Sequence, residues 1–122
     1  MTVKTNLFRN ADNVQTFAAG QTIFTEGQPG LTMYVVNQGE VELRIGDRVL
    51  ETVGPGGMFG EMALIDSGSR SATATARTEC QVVPVPRSQF EALIRETPGF
   101  ALQVMRVMAD RLRRTDQALA RS

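Results

Sequence analysis

Apolar and charged residues alternate strictly in one short stretch of the chain. Positions 41, 43 and 45 are apolar, and positions 40, 42 and 44 are charged. This period of two predicts a β-strand with one buried and one solvated face. Gly46 and Asp47 then fit a two-residue type II′ hairpin turn. This turn pairs residue 45 with residue 48 and is expected to place Leu43 opposite Leu50.

Other short runs rich in β-branched and aromatic residues predict further strands. They cover residues 21–24, 33–36, 70–76 and 81–85, and turn residues such as Gly, Pro and Asn separate them. Strands this short and this closely spaced indicate a sandwich or a barrel. Pro84 and Pro86 cannot donate hydrogen bonds to a sheet, so we expect the last strand to lie at an edge or to end early.

The pattern becomes helical near residue 87. Ser88 and Glu91 can form a capping box for a short helix over residues 87–96. Thr97 can cap a second helix whose first position is Pro98 and which extends to about residue 120. Along this second helix, residues three and four positions apart form a short heptad seam, which is a weak coiled-coil signal. The seam positions are Leu102, Met105, Ala109, Leu112, Asp116 and Leu119.

Composition narrows the classes of function. The 122 residues contain no His and one Cys, and 13 basic residues balance 13 acidic ones. Histidine-dependent nucleophiles, His-ligated metal sites and internal disulfides are therefore excluded, and Cys80 is expected to be a buried apolar residue. Residues 1–10 show no signal peptide, and no apolar run reaches membrane length. We expect a single cytoplasmic domain over residues 1–122, without a membrane segment.

The residues between 57 and 73 carry the candidate chemistry. Gly60 opens a short helical turn whose backbone N–H groups can bind an anionic oxygen. Arg70 offers a planar fork for two phosphate oxygens, and Glu61 offers an acceptor for hydroxyls. Ser71 adds a hydroxyl. This set predicts a site for a nucleotide with a compact phosphate.

The same segment resembles the phosphate-binding cassette of cyclic-nucleotide-binding domains, which occur in bacterial catabolite activator proteins, protein kinase A regulatory subunits and cyclic-nucleotide-gated channels. Residues 19–27 and 33–41 resemble early strands of that family, and residues 85–90 resemble its junction with the helices. Nine cassette positions agree, namely Phe59, Gly60, Glu61, Ala63, Leu64, Arg70, Ala72, Thr73 and Ala76. The resemblance implies an antiparallel β-roll (a double-stranded β-helix or jelly roll) over about residues 14–86. The roll holds a short cassette helix, and two α-helices follow it.

The resemblance also implies roles for individual residues. Glu61 would accept the ribose 2′-hydroxyl, and Arg70 would bind the exocyclic oxygen of the cyclic phosphate. The long helix would cap the base through Arg111, Thr115 and Asp116, although Thr115 and Asp116 could equally be ordinary solvent-facing residues. The implied nucleotide-binding set is Phe59, Gly60, Glu61, Met62, Ala63, Arg70, Ser71 and Ala72.

These observations predict a stand-alone regulatory module that binds a 3′,5′-cyclic nucleotide and signals by moving its C-terminal helix. Ser71 fits cAMP and cGMP, and we expect cAMP. We expect no catalysis, metal, cofactor or sequence-specific DNA binding; a homodimer through the long helix or an unknown protein partner stays open. The alternative is an interaction or dimerisation module with a vestigial cassette. A cupin-like enzyme is a third possibility, but its metal cage usually needs His.

Overall fold

The computed structural model describes residue 8, residues 11–65 and residues 68–120, with backbone only for residues 118–120. The fold is mainly antiparallel β-sheet followed by two α-helices, which confirms the predicted class. The strands are β1 (Gln15–Phe17), β2 (Thr22–Phe24), β3 (Thr32–Gln38), β4 (Val41–Ile45), β5 (Arg48–Val53), β6 (Met58–Phe59), β7 (Thr73–Ala76) and β8 (Cys80–Pro86). The helices are α1 (Met62–Ile65), α2 (Arg87–Glu96) and α3 (Pro98–Ala120).

Two four-stranded sheets, with strand orders β1-β8-β3-β6 and β2-β7-β4-β5, form the roll. Strand β3 is buried on both faces, and successive side chains along it point to opposite faces of the sheet. Met33 and Val35 pack toward the helices with Phe100, whereas Val36 packs toward the second sheet with Val82. The first sheet is therefore the middle layer, and the helices cover its outer face.

The predicted hairpin forms with a different register. Residues 45 and 48 pair as expected, and Gly46 has a φ of 56°, as a type II′ turn requires. However, a bulge between Leu43 and Arg44 shifts the remaining pairs, so Leu43 lies opposite Glu51. The prediction of Leu43 opposite Leu50 is wrong because a bulge adds one residue to one strand. Glu51 consequently shares a sheet face with Leu43.

Strand β8 is not an edge strand and does not end early. Its residues 80–82 pair with β1 on one side, and its residues 81–86 pair with β3 on the other. Pro84 and Pro86 lie beyond the β1 pairing, where the strand has one neighbour and a missing donor is tolerated. The prediction failed because the sequence gives no strand signal for β1.

The helix starts also differ from the sequence prediction in one respect. Pro86 occupies the N-cap of α2, and no side chain caps it, so the predicted Ser88 capping box is wrong. The N–H of Arg87 instead donates to the carbonyl of Leu31, and its guanidinium pairs with Glu91. Pro98 opens α3 as predicted. The strand predicted over residues 70–76 is shorter than expected, because β7 begins at Thr73 and Arg70 lies in the loop before it.

Helix α3 packs on the roll with one side and leaves the heptad positions between residues 102 and 116 exposed, while the side chain of Leu119 lies outside the described part of the chain. Phe100, Val104 and Val107 are buried, whereas Leu102 and Leu112 are 46% and 61% exposed. Cys80 is buried in the core, as predicted. Among the described helices, none is both long and apolar enough to cross a membrane.

Candidate functional site

Two loops hold each other and thereby position Arg70. The Gly30 N–H donates to the Gly68 carbonyl at 2.7 Å, and the Arg70 N–H donates to the Gln28 carbonyl at 2.8 Å. The Arg70 carbonyl in turn accepts from the Gly27 N–H at 2.9 Å. These reciprocal bonds fix the Arg70 backbone against the loop that follows β2.

The Arg70 guanidinium is buried, with the residue only 6% exposed. Its Nη1 donates to the Gly60 carbonyl at 3.1 Å, and its Cζ lies 4.1 Å from the centre of the Phe24 ring. Within the described part of the chain its Nε has no hydrogen-bond partner. Burial lowers the pKa of Arg70, although an arginine remains charged at neutral pH. A buried cation with an unused donor favours an anion as its partner.

Two glycines leave the space that this guanidinium occupies. A Cβ built on Gly30 would collide with the Nε and Cζ of Arg70. A Cβ on Gly60 would lie 2.9 Å from Arg70 Nη1, and the φ of Gly60 is +83°, in the left-handed region. The position of Arg70 therefore depends on the absence of side chains at both positions.

Glu61 is 1% exposed and ionically paired with α3. Burial raises the pKa of the Glu61 carboxyl, while the positive charge of Arg111 opposes that shift. Arg111 Nη1 donates to Glu61 Oε1, Nη2 donates to the Met58 carbonyl, and Nε donates to Glu51 Oε1 at 2.8 Å. One guanidinium thus joins α3 to the cassette and to β5.

These residues surround a cavity of about 220 Å³ between the cassette, the β4–β5 hairpin and α3. Its lining contains nine of the eleven residues predicted from the sequence: Gly60, Glu61, Met62, Ala63, Arg70, Ser71, Ala72, Arg111 and Thr115. Sequence reasoning missed its apolar walls, which are Phe24, Leu43, Ile45, Leu50 and Leu112. The alternation that includes positions 43 and 45 predicted an apolar face on β4, but it did not show that this face would line a cavity.

Two predicted residues do not line this cavity. Phe59 is fully buried in the core, where its ring stacks on Tyr34 with centroids 5.3 Å apart. Phe59 therefore belongs to the core and not to the cavity wall. Asp116 is exposed, which agrees with the solvent-facing alternative. Thr115 lines the cavity, and its hydroxyl donates to the Arg111 carbonyl at 2.9 Å.

Comparison with known proteins shows the family of this chain. A family model described as cyclic nucleotide-binding domain matches residues 14–97, which is most of the chain. The chain belongs to this family. The match includes the two loops that position Arg70, the cassette and β8. The family assignment therefore rests on the whole roll as well as on the cassette.

Several curated relatives of this cyclic nucleotide-binding domain are named as regulators. It is 39% identical over 111 residues to the CRP-like cAMP-activated global transcriptional regulator of Mycobacterium tuberculosis, covering 85% of this chain and 49% of that protein. The chain spans about half the length of the curated bacterial relatives it matches. The crystal structure of Thermus thermophilus catabolite activator protein is similar with a TM-score of 0.76 and 32% identity, covering 95% of this chain and 62% of that one.

A third similar protein nearly matches this chain in length. It was solved in work described as "A cyclic-GMP-dependent signalling pathway regulates bacterial phytopathogenesis". The TM-score is 0.70 at 27% identity, and the alignment covers 100% of this chain and 98% of that one.

Proposed function

We propose that this chain binds a 3′,5′-cyclic nucleotide in the described cavity, with the phosphate at Arg70 and the ribose at Glu61. The observation that carries the proposal is the buried Arg70 guanidinium, whose Nε lacks a partner among the described residues. A phosphate oxygen can accept from that donor and neutralise the buried charge. Glu61, on the same cavity, is an acceptor suited to a ribose hydroxyl.

We propose cAMP as the preferred ligand. Two curated bacterial relatives, at 39% and 38% identity, are named for cAMP. The similar structure from the cyclic-GMP study makes cGMP the competitor that must be tested. Direct competition between the two nucleotides for one site measures the preference. The nucleotide is a regulatory ligand in this proposal, and we expect no catalysed reaction.

The proposed output is a change in the position of α3. Arg111 joins this helix to Glu61, and Thr115 and Leu112 place one turn of it on the cavity. In this proposal α3 exchanges between two positions relative to the cassette. A nucleotide that contacts both the cassette and α3 shifts this equilibrium only to the extent that it binds one position more tightly than the other.

Thermal unfolding tests the binding proposal. A ligand present at about 100 times its Kd adds about 2.7 kcal/mol to the free energy of unfolding. We expect a clear rise in Tm with cAMP or cGMP and a much smaller one with 5′-AMP, whose phosphate is not tied to the 3′-oxygen. The absence of any rise with both cyclic nucleotides would contradict the proposal.

A second candidate, an assembly module, is favoured by the uncovered heptad positions of α3. Leu102, Met105 and Leu112 are large apolar residues with 46%, 57% and 61% of their surface exposed. Pairing with a second copy would bury them. Light scattering over a range of protein concentrations, with and without cAMP, separates the candidates. Association that is indifferent to nucleotide, together with no thermal shift, supports the assembly module alone.

A further inference from the structure

Glu51 lies outside the cavity lining but contacts the side chain that joins α3 to the cassette. It belongs to β5, the edge strand of the second sheet, and the bulge in the hairpin places it opposite Leu43. Its carboxylate accepts from Arg111 Nε at 2.8 Å, and its side chain is only 14% exposed. No residue of the cassette takes part in this contact.

Arg111 divides its donors between three acceptors. A guanidinium commonly gives two parallel N–H bonds to a single carboxylate. Here Nε serves Glu51, Nη2 serves the Met58 carbonyl, and only Nη1 serves Glu61. The bond to Glu61 involves Oε1, so Arg111 does not engage both carboxylate oxygens.

We propose that Glu51 is a positioning residue for ribose recognition. By holding Arg111 Nε, it fixes the orientation of the guanidinium in which Nη2 bonds the Met58 carbonyl and only Nη1 reaches Glu61, and so preserves the capacity of Glu61 to accept the 2′-hydroxyl. This inference rests on the proposed function, because it assumes that Glu61 is the ribose acceptor. It adds a residue of β5 that acts through Arg111 without contacting the ligand.

The charges of the cluster support this division of roles. Arg111, Glu51 and Glu61 have side-chain exposures of 11%, 14% and 2%, so two carboxylates share one cation with little solvent screening. Removing the negative charge of Glu51 leaves Glu61 as the one carboxylate paired with Arg111 among the described residues. The pair then tightens, and the ribose hydroxyl must compete with a stronger donor for the same carboxylate.

The test compares the affinities of cAMP and 2′-deoxy-cAMP by isothermal titration calorimetry. Wild type is expected to favour cAMP by about tenfold or more, the ratio given by a hydrogen bond to a charged group. Glu51→Gln keeps the size of the side chain and removes its charge. We expect this variant to lower the ratio by at least about twofold, the lower end of coupling within one network. Glu42→Gln, which removes a carboxylate paired with Arg44 on β4, is the matched control and should keep the wild-type ratio.

A double-mutant cycle separates positioning from packing. In an Arg111→Gln background, adding Glu51→Gln should leave the ratio unchanged, because Glu51 acts through Arg111. An equal effect of Glu51→Gln in both backgrounds would overturn the inference. Glu51→Asp retains the carboxylate and should keep more of the discrimination than Glu51→Gln, and equal loss in both variants would also overturn it.

The outcomes distinguish this inference from the proposed function. If wild type binds neither nucleotide, the proposed function fails. If wild type binds cAMP with a preference over 2′-deoxy-cAMP and Glu51→Gln retains the full preference, only the role of Glu51 is refuted.

Discussion

Gly30→Ala tests the claim that Arg70 is placed by the space around it. The added Cβ would occupy the position of the Arg70 guanidinium, which must therefore move. Because the colliding atoms are the far end of a flexible side chain, the roll need not unfold. The displaced guanidinium loses its bond to the Gly60 carbonyl and its stacking on Phe24. It also loses the alignment proposed for the phosphate.

The expected loss follows from one charged hydrogen bond. Such bonds contribute about 1.5 to 3 kcal/mol, which corresponds to a Kd for cAMP raised by about 10 to 150-fold. Calorimetric titration measures the Kd, and thermal unfolding verifies that the variant is folded. Gly54→Ala is the control, because a Cβ there meets no heavy atom within 4 Å and its φ is not positive. A Gly30→Ala protein that binds cAMP like wild type would refute the reasoning.

Three other predictions concern stability and reactivity. The pKa of Glu61 is raised by burial, so the free energy of unfolding should fall as pH rises from the ordinary value of 4.5 through the folded pKa. Urea unfolding across pH should show this slope in wild type and lose it in Glu61→Gln. Cys80 is buried and its pKa is raised by burial, so a thiol reagent should label it slowly until urea unfolds the chain. Phe100→Ala should lower the free energy of unfolding by about 3 to 5 kcal/mol, because Phe100 is buried. Leu102→Ala, at an exposed position, should change it by less than about 0.5 kcal/mol, and urea unfolding measures both.

Local patterns in the sequence predict much of the roll and of the cassette. The alternation at positions 41–45 and the Gly46 turn predict a hairpin, because burial of one face and a positive φ leave visible marks. The cassette spacing singles out Glu61 and Arg70, which the structure places on one cavity. Each of these features depends on residues that are close in sequence or on a spacing shared with a known family.

The features that the sequence did not predict depend on contacts between distant segments. Strand β1 has three residues and is defined by its pairing with β8, far away in the chain. Phe24 carries no local sign that its ring will face Arg70. Glu51 is unremarkable in the sequence, and its meeting with Arg111 requires a bulge and a helix 60 positions later. Tertiary packing decides these features, so periodicity alone could not reveal them.

The central claim is that the buried Arg70 guanidinium binds the phosphate of a cyclic nucleotide. Calorimetric titration of wild type, Arg70→Gln and the exposed control Arg77→Gln with cAMP tests it most directly. Truncating one partner of a buried charge pair costs about 2 to 5 kcal/mol, so Arg70→Gln should bind at least about 30-fold more weakly. Arg77→Gln should bind like wild type. Saturable binding of the same strength in all three proteins would contradict the account.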